Sequence, residues 1–298
     1  MVLDQIGLSP RRPTAHGGLR ISPVYWFVLP ALVLVLATAV YPLLSVLGLS
    51  LQSPSGTVTI RNYTTALADP SVSNALRNTL VFAVASAALH ILLGFVFALL
   101  LNQRLRPSFV ALARTLLMFP WAMSPVAVAV LWRLFYSPEL SPVPPLLSHL
   151  GIHTSWNLLG DTSTALAAVI AVNVWFSTPF FMLVILAALQ AIPVELYEAA
   201  RVDGATAAGT VRHVTVPMLA PVGLTLFVFD FVMAFVFYDL VWLMTQGGPV
   251  DSTEVLATLI YKVAFQRFDF PYASALAILA FLLMSLVVSV ILALSRYE

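Results

Sequence analysis

The chain has 298 residues, 60% of them hydrophobic and only 9% charged, with a formal net charge of +1 and no cysteine. A soluble domain carries about a quarter charged residues, so this composition excludes an ordinary globular enzyme and points to one polytopic bundle of membrane helices. The missing cysteines exclude a disulfide framework and a thiolate metal site, and the net charge gives no basis for a nucleic-acid partner. In chain order, residues 1–23 read as a tail. Six apolar stretches follow, near 24–49, 78–101, 115–136, 164–189, 218–244 and 272–295, each reaching the roughly 20 residues that a helix needs to cross a bilayer. The first is too long for a cleaved signal peptide and contains Pro30 and Pro42. Prolines also fall inside the third stretch (Pro120, Pro125) and the fourth (Pro179), where each favours a kink.

The basic residues orient the bundle. With a cytoplasmic N-terminus, one side receives Arg11, Arg12, Arg20, Arg104, Arg106, Arg114, Arg201, Arg212 and Arg296. The other side receives Arg61, Arg77, Arg133, Lys262 and Arg267. Nine against five favours both termini inside. The connection at 190–217 is then cytoplasmic. Longer connections, at about 50–77, 137–163 and 245–271, lie outside; they are rich in Pro, Ser, Thr and Gly, as loops or caps are.

Several chemistries are absent. A phosphate-cradling GxxxxGK[ST] loop needs a lysine on the terminal phosphates, and the single lysine, Lys262, falls on the outer side. If ATP drives the chain, another subunit must bind it. HExxH and GxSxG are also missing, so no catalytic residue is assigned. His149 and His153 have helical metal-ligand spacing, but Gly151 between them makes two solvated loop histidines the simpler reading. His90, inside the second stretch, reads as an interhelical hydrogen-bonding residue ahead of a proton relay.

The cytoplasmic connection is unusually polar: "ELYEAARVDGATAAGTVRHVTVPMLAP" spans 195–221. Pro193 suits a first helical turn, and Glu195 and Glu198 complement the dipole of the helix it opens. Asp203-Gly204 breaks that helix, since glycine accepts the positive φ of a tight reversal. A second short helix is expected from Ala205 to about Val214, with Pro217 and Pro221 marking entry to the fifth span. An ordinary helix-turn-helix connector would read the same way.

The stretch also resembles a known signature. Glu198-Ala199-Ala200, Asp203-Gly204-Ala205, Val216-Pro217 and Pro221 are similar to the EAA loop of binding-protein-dependent ABC importer permeases, in particular the carbohydrate-uptake branch. "NTLVFAVAS" at 78–86, "NVWFSTPFFM" at 173–182, "LQAIP" at 189–193, "MTQGGP" at 244–249 and "IYKVAF" at 260–265 follow in the family's order. Val211 departs from it, standing where many relatives have an aromatic residue. The resemblance implies a six-span permease fold whose 190–217 loop is a coupling helix seated in an ATPase cleft, with Glu198 making a polar contact and Gly204 the turn. It also implies a second homologous permease, an ATPase dimer holding ATP and Mg, and an extracytoplasmic sugar-binding protein that meets the 137–163 and "TQGGP" loops. The chain itself would bind no cofactor.

Buried polar groups in a bilayer are the default markers of a pathway. In the fourth span Asn173, Phe176, Ser177 and Phe180 follow the i, i+3, i+4, i+7 pattern of one helix face. Asp230, Met233, Ala234 and Phe237 repeat it in the fifth. Asn173 lies nine residues past Thr164, roughly 13 Å deep at about 1.5 Å per residue. Such mixed faces suit a sugar, which needs flat apolar surface and hydrogen-bonding groups; interhelical packing would use the same residues. In maltose permeases of the family, the corresponding faces contact sugar. Asp230 and Asp239, with no mid-membrane arginine, disfavour a phosphate-bearing substrate. The expected cargo is a neutral disaccharide, another oligosaccharide or an amino sugar. The expected protein is a permease subunit, not an enzyme, multi-pass in a bacterial inner membrane and surrounded by lipid; thirteen arginines against one lysine fit a high-GC genome. The alternative is a self-contained ion-coupled transporter in which Asp230 and His90 titrate.

Overall fold

The computed structural model describes residues 24–53, 55–103, 106–151 and 156–295. The tail at 1–23, Arg104, His153 and Arg296 lie outside the described residues. Two units are distinguished, one running through Ser45 and the other from Val46 onward. The helices in chain order are α1 (Val24–Val35), α2 (Tyr41–Ser50), α3 (Arg61–Ala68), α4 (Pro70–Leu101), α5 (Pro107–Met118), α6 (Pro125–Phe135), α7 (Val143–His149), α8 (Ala165–Gln190), α9 (Val194–Val202), α10 (Ala207–Thr210), α11 (Val216–Val236), α12 (Asp239–Thr245), α13 (Leu256–Tyr261) and α14 (Phe270–Leu294). Wider π-helical turns at Leu36–Val40, Val211–Thr215 and Lys262–Gln266 extend three of these runs.

Among the described residues, five runs are long and apolar enough to cross a bilayer: Phe27–Ser50, Pro70–Leu101, Ala165–Gln190, Ala207–Val236 and Phe270–Leu294. The stretch at 115–136 differs from a single span. It is divided between α5 and α6, with Phe119–Ser124 outside either helix. Pro125 opens α6, and the residue before a proline is pushed to extended backbone; Ser124 has ψ 136°. Alone, either helix is too short for a hydrocarbon core of about 30 Å, so the pair is needed to cross it.

The fifth span also differs at both ends. Its expected exit near 244 is corrected to Val236, because Phe237 leaves helical geometry (ψ 86°) and α12 begins anew at Asp239. At its entry no separate helix ends near Val214. Instead α10, the π turn and α11 run on as one helix from Ala207. Pro217 does not interrupt it: the preceding Val216 N–H bonds back to Val211 across the wide turn, and Pro217 then needs no N–H of its own. The same device precedes Pro42, where Tyr41 N–H reaches Leu36. A wide turn just before a proline makes room for the ring.

Helices α4 and α8 form the centre of the second unit. The buried face of α4 carries Ala75, Ala83, Ala87, Gly94 and Ala98, small residues that let membrane helices approach closely. At Gly94 an added Cβ would stand 3.0 Å from both Met182 N and Phe181 Cβ. Phe82, Val169, Val172, Phe231, Leu240 and Val241 fill the space between α4, α8, α11 and α12.

A polar hairpin at 245–255 is bonded to the first turns of α4. Asn78 Nδ2 donates to the carbonyls of Asp251 and Glu254, Asn74 Nδ2 also donates to Asp251, and Leu256 N–H donates to Thr79 Oγ1. Lys262, at the start of the wide turn after α13, donates to Glu254 of this hairpin, a residue only 2% exposed. Breaking a buried pair strands a charge at about 3–5 kcal/mol. Lys262→Met is therefore expected to loosen 245–255, seen as faster proteolysis there, and Lys262→Met with Glu254→Gln to restore most of the resistance.

Candidate functional site

Helices α8 and α11 place their polar and aromatic residues against one cavity of about 180 Å³. Asn173, Ser177 and Phe180 reach it from α8, and Asp230, Met233 and Ala234 from α11, with Phe237 just beyond. Phe176 is the exception: it is buried in the core and does not line the cavity. At about 100° per residue, Ser177 and Phe181 fall on one side of the Asn173 direction and Phe176 about 60° to the other. The i+3 position was thus one flank too far.

Four lining residues were not singled out by the periodicity. Phe82 belongs to α4, Phe181 to α8, Phe229 to α11 and Trp121 to the break between α5 and α6. Trp121 stacks on Phe180 at 5.9 Å, and Phe180 meets Phe229 at 5.7 Å. Only the mixed character of span four hinted at such an aromatic wall; Trp121 enters it because the third span is broken there.

The polar groups are few and distinct. His90 is fully buried, with Nδ1 2.6 Å from Asp230 Oδ2 and Nε2 3.2 Å from the Asn173 carbonyl oxygen. Its ring stacks on Phe181 at 4.8 Å. One side chain therefore ties α4, α8 and α11 together. The Asn173 amide, the Ser177 hydroxyl and Asp230 Oδ1 make no side-chain hydrogen bond to another described residue, and all three residues line the cavity. Asp239, grouped with Asp230 by the sequence, is exposed at the start of α12 and outside the cavity. Among the described residues no cluster of His, Asp or Glu could hold a metal ion; His149 sits exposed at the end of α7.

The 190–217 connection forms a second surface. Helix α9 ends in a Schellman-type reversal: Gly204 has φ +76°, and Ala205 N–H bonds back to the Ala200 carbonyl at 2.9 Å. Thr206 then caps α10, its hydroxyl accepting from Gly209 N–H. None of α9 is buried. Glu198, Ala199, Asp203, Gly204 and Ala205 are exposed, Ala200 is half-buried, and Val202 is 88% exposed beside the turn.

A bundle of this form, with a polar cavity between spans and an exposed hairpin between the fourth and fifth, defines a membrane transport component. The chain belongs to the family of binding-protein-dependent transport system inner membrane components, which matches residues 90–296. It is 32% identical to the trehalose/maltose transport system permease protein MalF of Thermococcus litoralis, over 92% of this chain and 94% of that one. It is 35% identical to a probable ABC transporter permease protein of Sinorhizobium fredii, over 87% and 85% of the two chains. The sn-glycerol-3-phosphate transport system permease protein UgpA of Pectobacterium atrosepticum is 31% identical, over 87% of this chain and 89% of its own. The fold matches a chain in the crystal structure of a bacterial ABC transporter involved in the import of the acidic polysaccharide alginate, with a TM-score of 0.84 at 24% identity over 92% and 95% of the chains. The chain is thus an ABC permease subunit and a multi-pass membrane protein, not an enzyme. Membership of this family sets aside the self-contained ion-coupled alternative.

Proposed function

We propose that this chain forms one half of the translocation pathway of an ATP-driven importer for a neutral carbohydrate, by alternating access. One observation carries the reading. The cavity joins an aromatic wall of Trp121, Phe180 and Phe229 to unpaired polar groups on Asn173, Ser177 and Asp230, and no lysine or arginine lines it. Aromatic faces suit sugar rings, and the polar groups suit hydroxyls. A phosphate or carboxylate on the substrate would find no cationic partner there. The names of the trehalose/maltose and glycerol-phosphate permeases support the broader class.

Trp121, Phe229 and Met233 are exposed on one side of the cavity, an incomplete wall that a second permease subunit would close. The exposed hairpin offers Glu198 and Val202 to an ATPase subunit that holds ATP and Mg. Both termini are assigned to the cytoplasm. The hairpin at 245–255 and the 137–163 connection face the binding protein; a structure of the alginate transporter with its pentasaccharide-bound periplasmic protein supports such a partner. The test is ATPase stimulation of the reconstituted complex by its binding protein with a panel of neutral disaccharides, amino sugars, alginate oligosaccharides and sn-glycerol 3-phosphate. A neutral disaccharide or oligosaccharide is expected to stimulate best; an organophosphate as the best substrate overturns the reading. Phe180→Ala is expected to raise KM for that sugar by up to about tenfold, since aromatic stacking contributes about 0.5–1.5 kcal/mol beyond area, with little change in protein level.

A further inference from the structure

We infer that His90 and Asp230 form a dyad that shares one proton and carries no net charge as a pair, and that His90 thereby positions Asp230 as a selector of substrate hydroxyls. The argument is a count of hydrogens. His90 Nε2 lies in hydrogen-bonding geometry, 3.2 Å from the Asn173 carbonyl oxygen, and a backbone carbonyl only accepts. Nε2 must carry a hydrogen. That leaves Nδ1, 2.6 Å from Asp230 Oδ2, and two lone pairs cannot face each other at that distance. Either Nδ1 carries a second hydrogen and the pair is imidazolium with carboxylate, or Nδ1 is bare and Oδ2 carries the hydrogen. Both arrangements hold one proton between Nδ1 and Oδ2, and both sum to zero charge.

The surroundings demand the same balance. Helices α8, α11 and α14 contain no lysine, arginine or histidine, and Asp230 is their only acid; on α4 the other charged group is Arg77, thirteen residues from His90. An isolated carboxylate in this setting would be costly, and no second cation is at hand to offset it. His90 is also held as a positioning residue should be: fully buried, stacked on Phe181 and bonded to two other helices. Asp230 Oδ1 is left to the cavity as a hydrogen-bonding group of a pair with no net charge.

The inference rests on the carbohydrate reading and sharpens it. Hydroxyl geometry selects the cargo, and an amino sugar gains nothing from Asp230. It also corrects the use of Asp230 as a fixed negative charge that repels phosphate: the absence of a cation disfavours phosphate, not the presence of an anion.

The first test needs no substrate. The chain, co-expressed with its partner subunits and held in nanodiscs, is labelled with 15N-histidine, and the His90 signals are assigned by their loss in His90→Asn. The Nε2 signal is expected to be that of a protonated nitrogen. A bare Nε2, or a neutral ring beside a carboxylate that infrared spectra report as ionised, overturns the dyad. The second test is a mutant cycle read by thermal stability of the complex and by uptake of labelled trehalose. Asp230→Asn keeps the shape of the pair, with its amide donating to Nδ1, and the complex is expected to keep near wild-type thermal stability. His90→Phe keeps the ring but strands the carboxylate, and should cut uptake on the order of a hundredfold. Adding Asp230→Asn to His90→Phe should recover at least about tenfold of that loss. A double variant as impaired as His90→Phe alone would mean that His90 only packs, and the inference fails. Absence of trehalose uptake in wild type, with the NMR and stability results as expected, counts against the carbohydrate reading and leaves the dyad standing.

Discussion

Glu198→Lys is expected to leave the chain folded and inserted while uptake falls by at least about thirtyfold, with ATP hydrolysis in the complex no longer following substrate. Glu198 is exposed on α9, a helix with no buried residue, so the change removes no internal contact. Its effect must come from what docks on the hairpin. Truncating one partner of a desolvated charge pair costs about 2–5 kcal/mol at an interface, and reversal adds repulsion to that loss. Removing about 2 kcal/mol already lowers an equilibrium roughly thirtyfold. The measurement pairs uptake in vesicles with ATPase activity and with membrane abundance of the chain. Unchanged uptake in Glu198→Lys would remove the basis for assigning this loop to ATPase docking.

The second large effect is expected at Gly94, in the contact between α4 and α8. Gly94→Leu should reduce the amount of folded protein in the membrane to a few per cent of wild type, and Gly94→Ala should lower thermal stability measurably. The reason is the closeness of α4 to α8. Even one Cβ would stand 3.0 Å from the Met182 nitrogen and the Phe181 Cβ, and the first of these is backbone that cannot swing away. Overpacking of a single methyl group costs about 1–3 kcal/mol; an isobutyl group must push the helices apart. Phe181 also stacks on His90 and lines the cavity, so separation here would disorder the cavity as well. Fluorescence-detected size exclusion after stepwise heating reads both variants, and a Gly94→Leu protein as stable as wild type would refute the close-packing argument.

Much of this was legible in the chain itself, for physical reasons that differ by element. Composition and length define the spans, and α8 follows the 3.6-residue period closely enough to bring Asn173, Ser177 and Phe180 together. The Asp203-Gly204 reversal could be read because a positive φ beside a helix end nearly requires glycine, and Gly204 adopts it. His90 as an interhelical hydrogen-bonding residue could be read because lipid offers it no partner. Its particular partners could not, since residues 90, 173 and 230 meet only through the packing of three helices. Trp121 was hidden for a related reason: Pro120 and Pro125 announced a kink in 115–136, but not that Phe119–Ser124 would leave the helix and carry Trp121 to the cavity. Phe176 falls outside because the face that α8 turns to the cavity is centred on the Ser177 side of Asn173, running from Phe180 to Phe181, whereas Phe176 lies about 60° to the other side. Pro217 misled in the opposite direction. A proline ordinarily ends a helix from its N-terminal side, but the wide turn at Val211–Thr215 absorbs it.

That absorbed proline has a mechanical consequence. Because the helix does not stop at Pro217, the 190–217 hairpin and the cavity share one lever arm. From Ala207 to Asp230 it measures roughly 35 Å at about 1.5 Å per residue, so each degree of tilt about its hairpin end sweeps Asp230 sideways by about 0.6 Å. A break after Val214 would have let the hairpin pivot idly on a hinge. The unbroken helix converts a small rotation at one face of the membrane into ångströms of travel at the cavity wall.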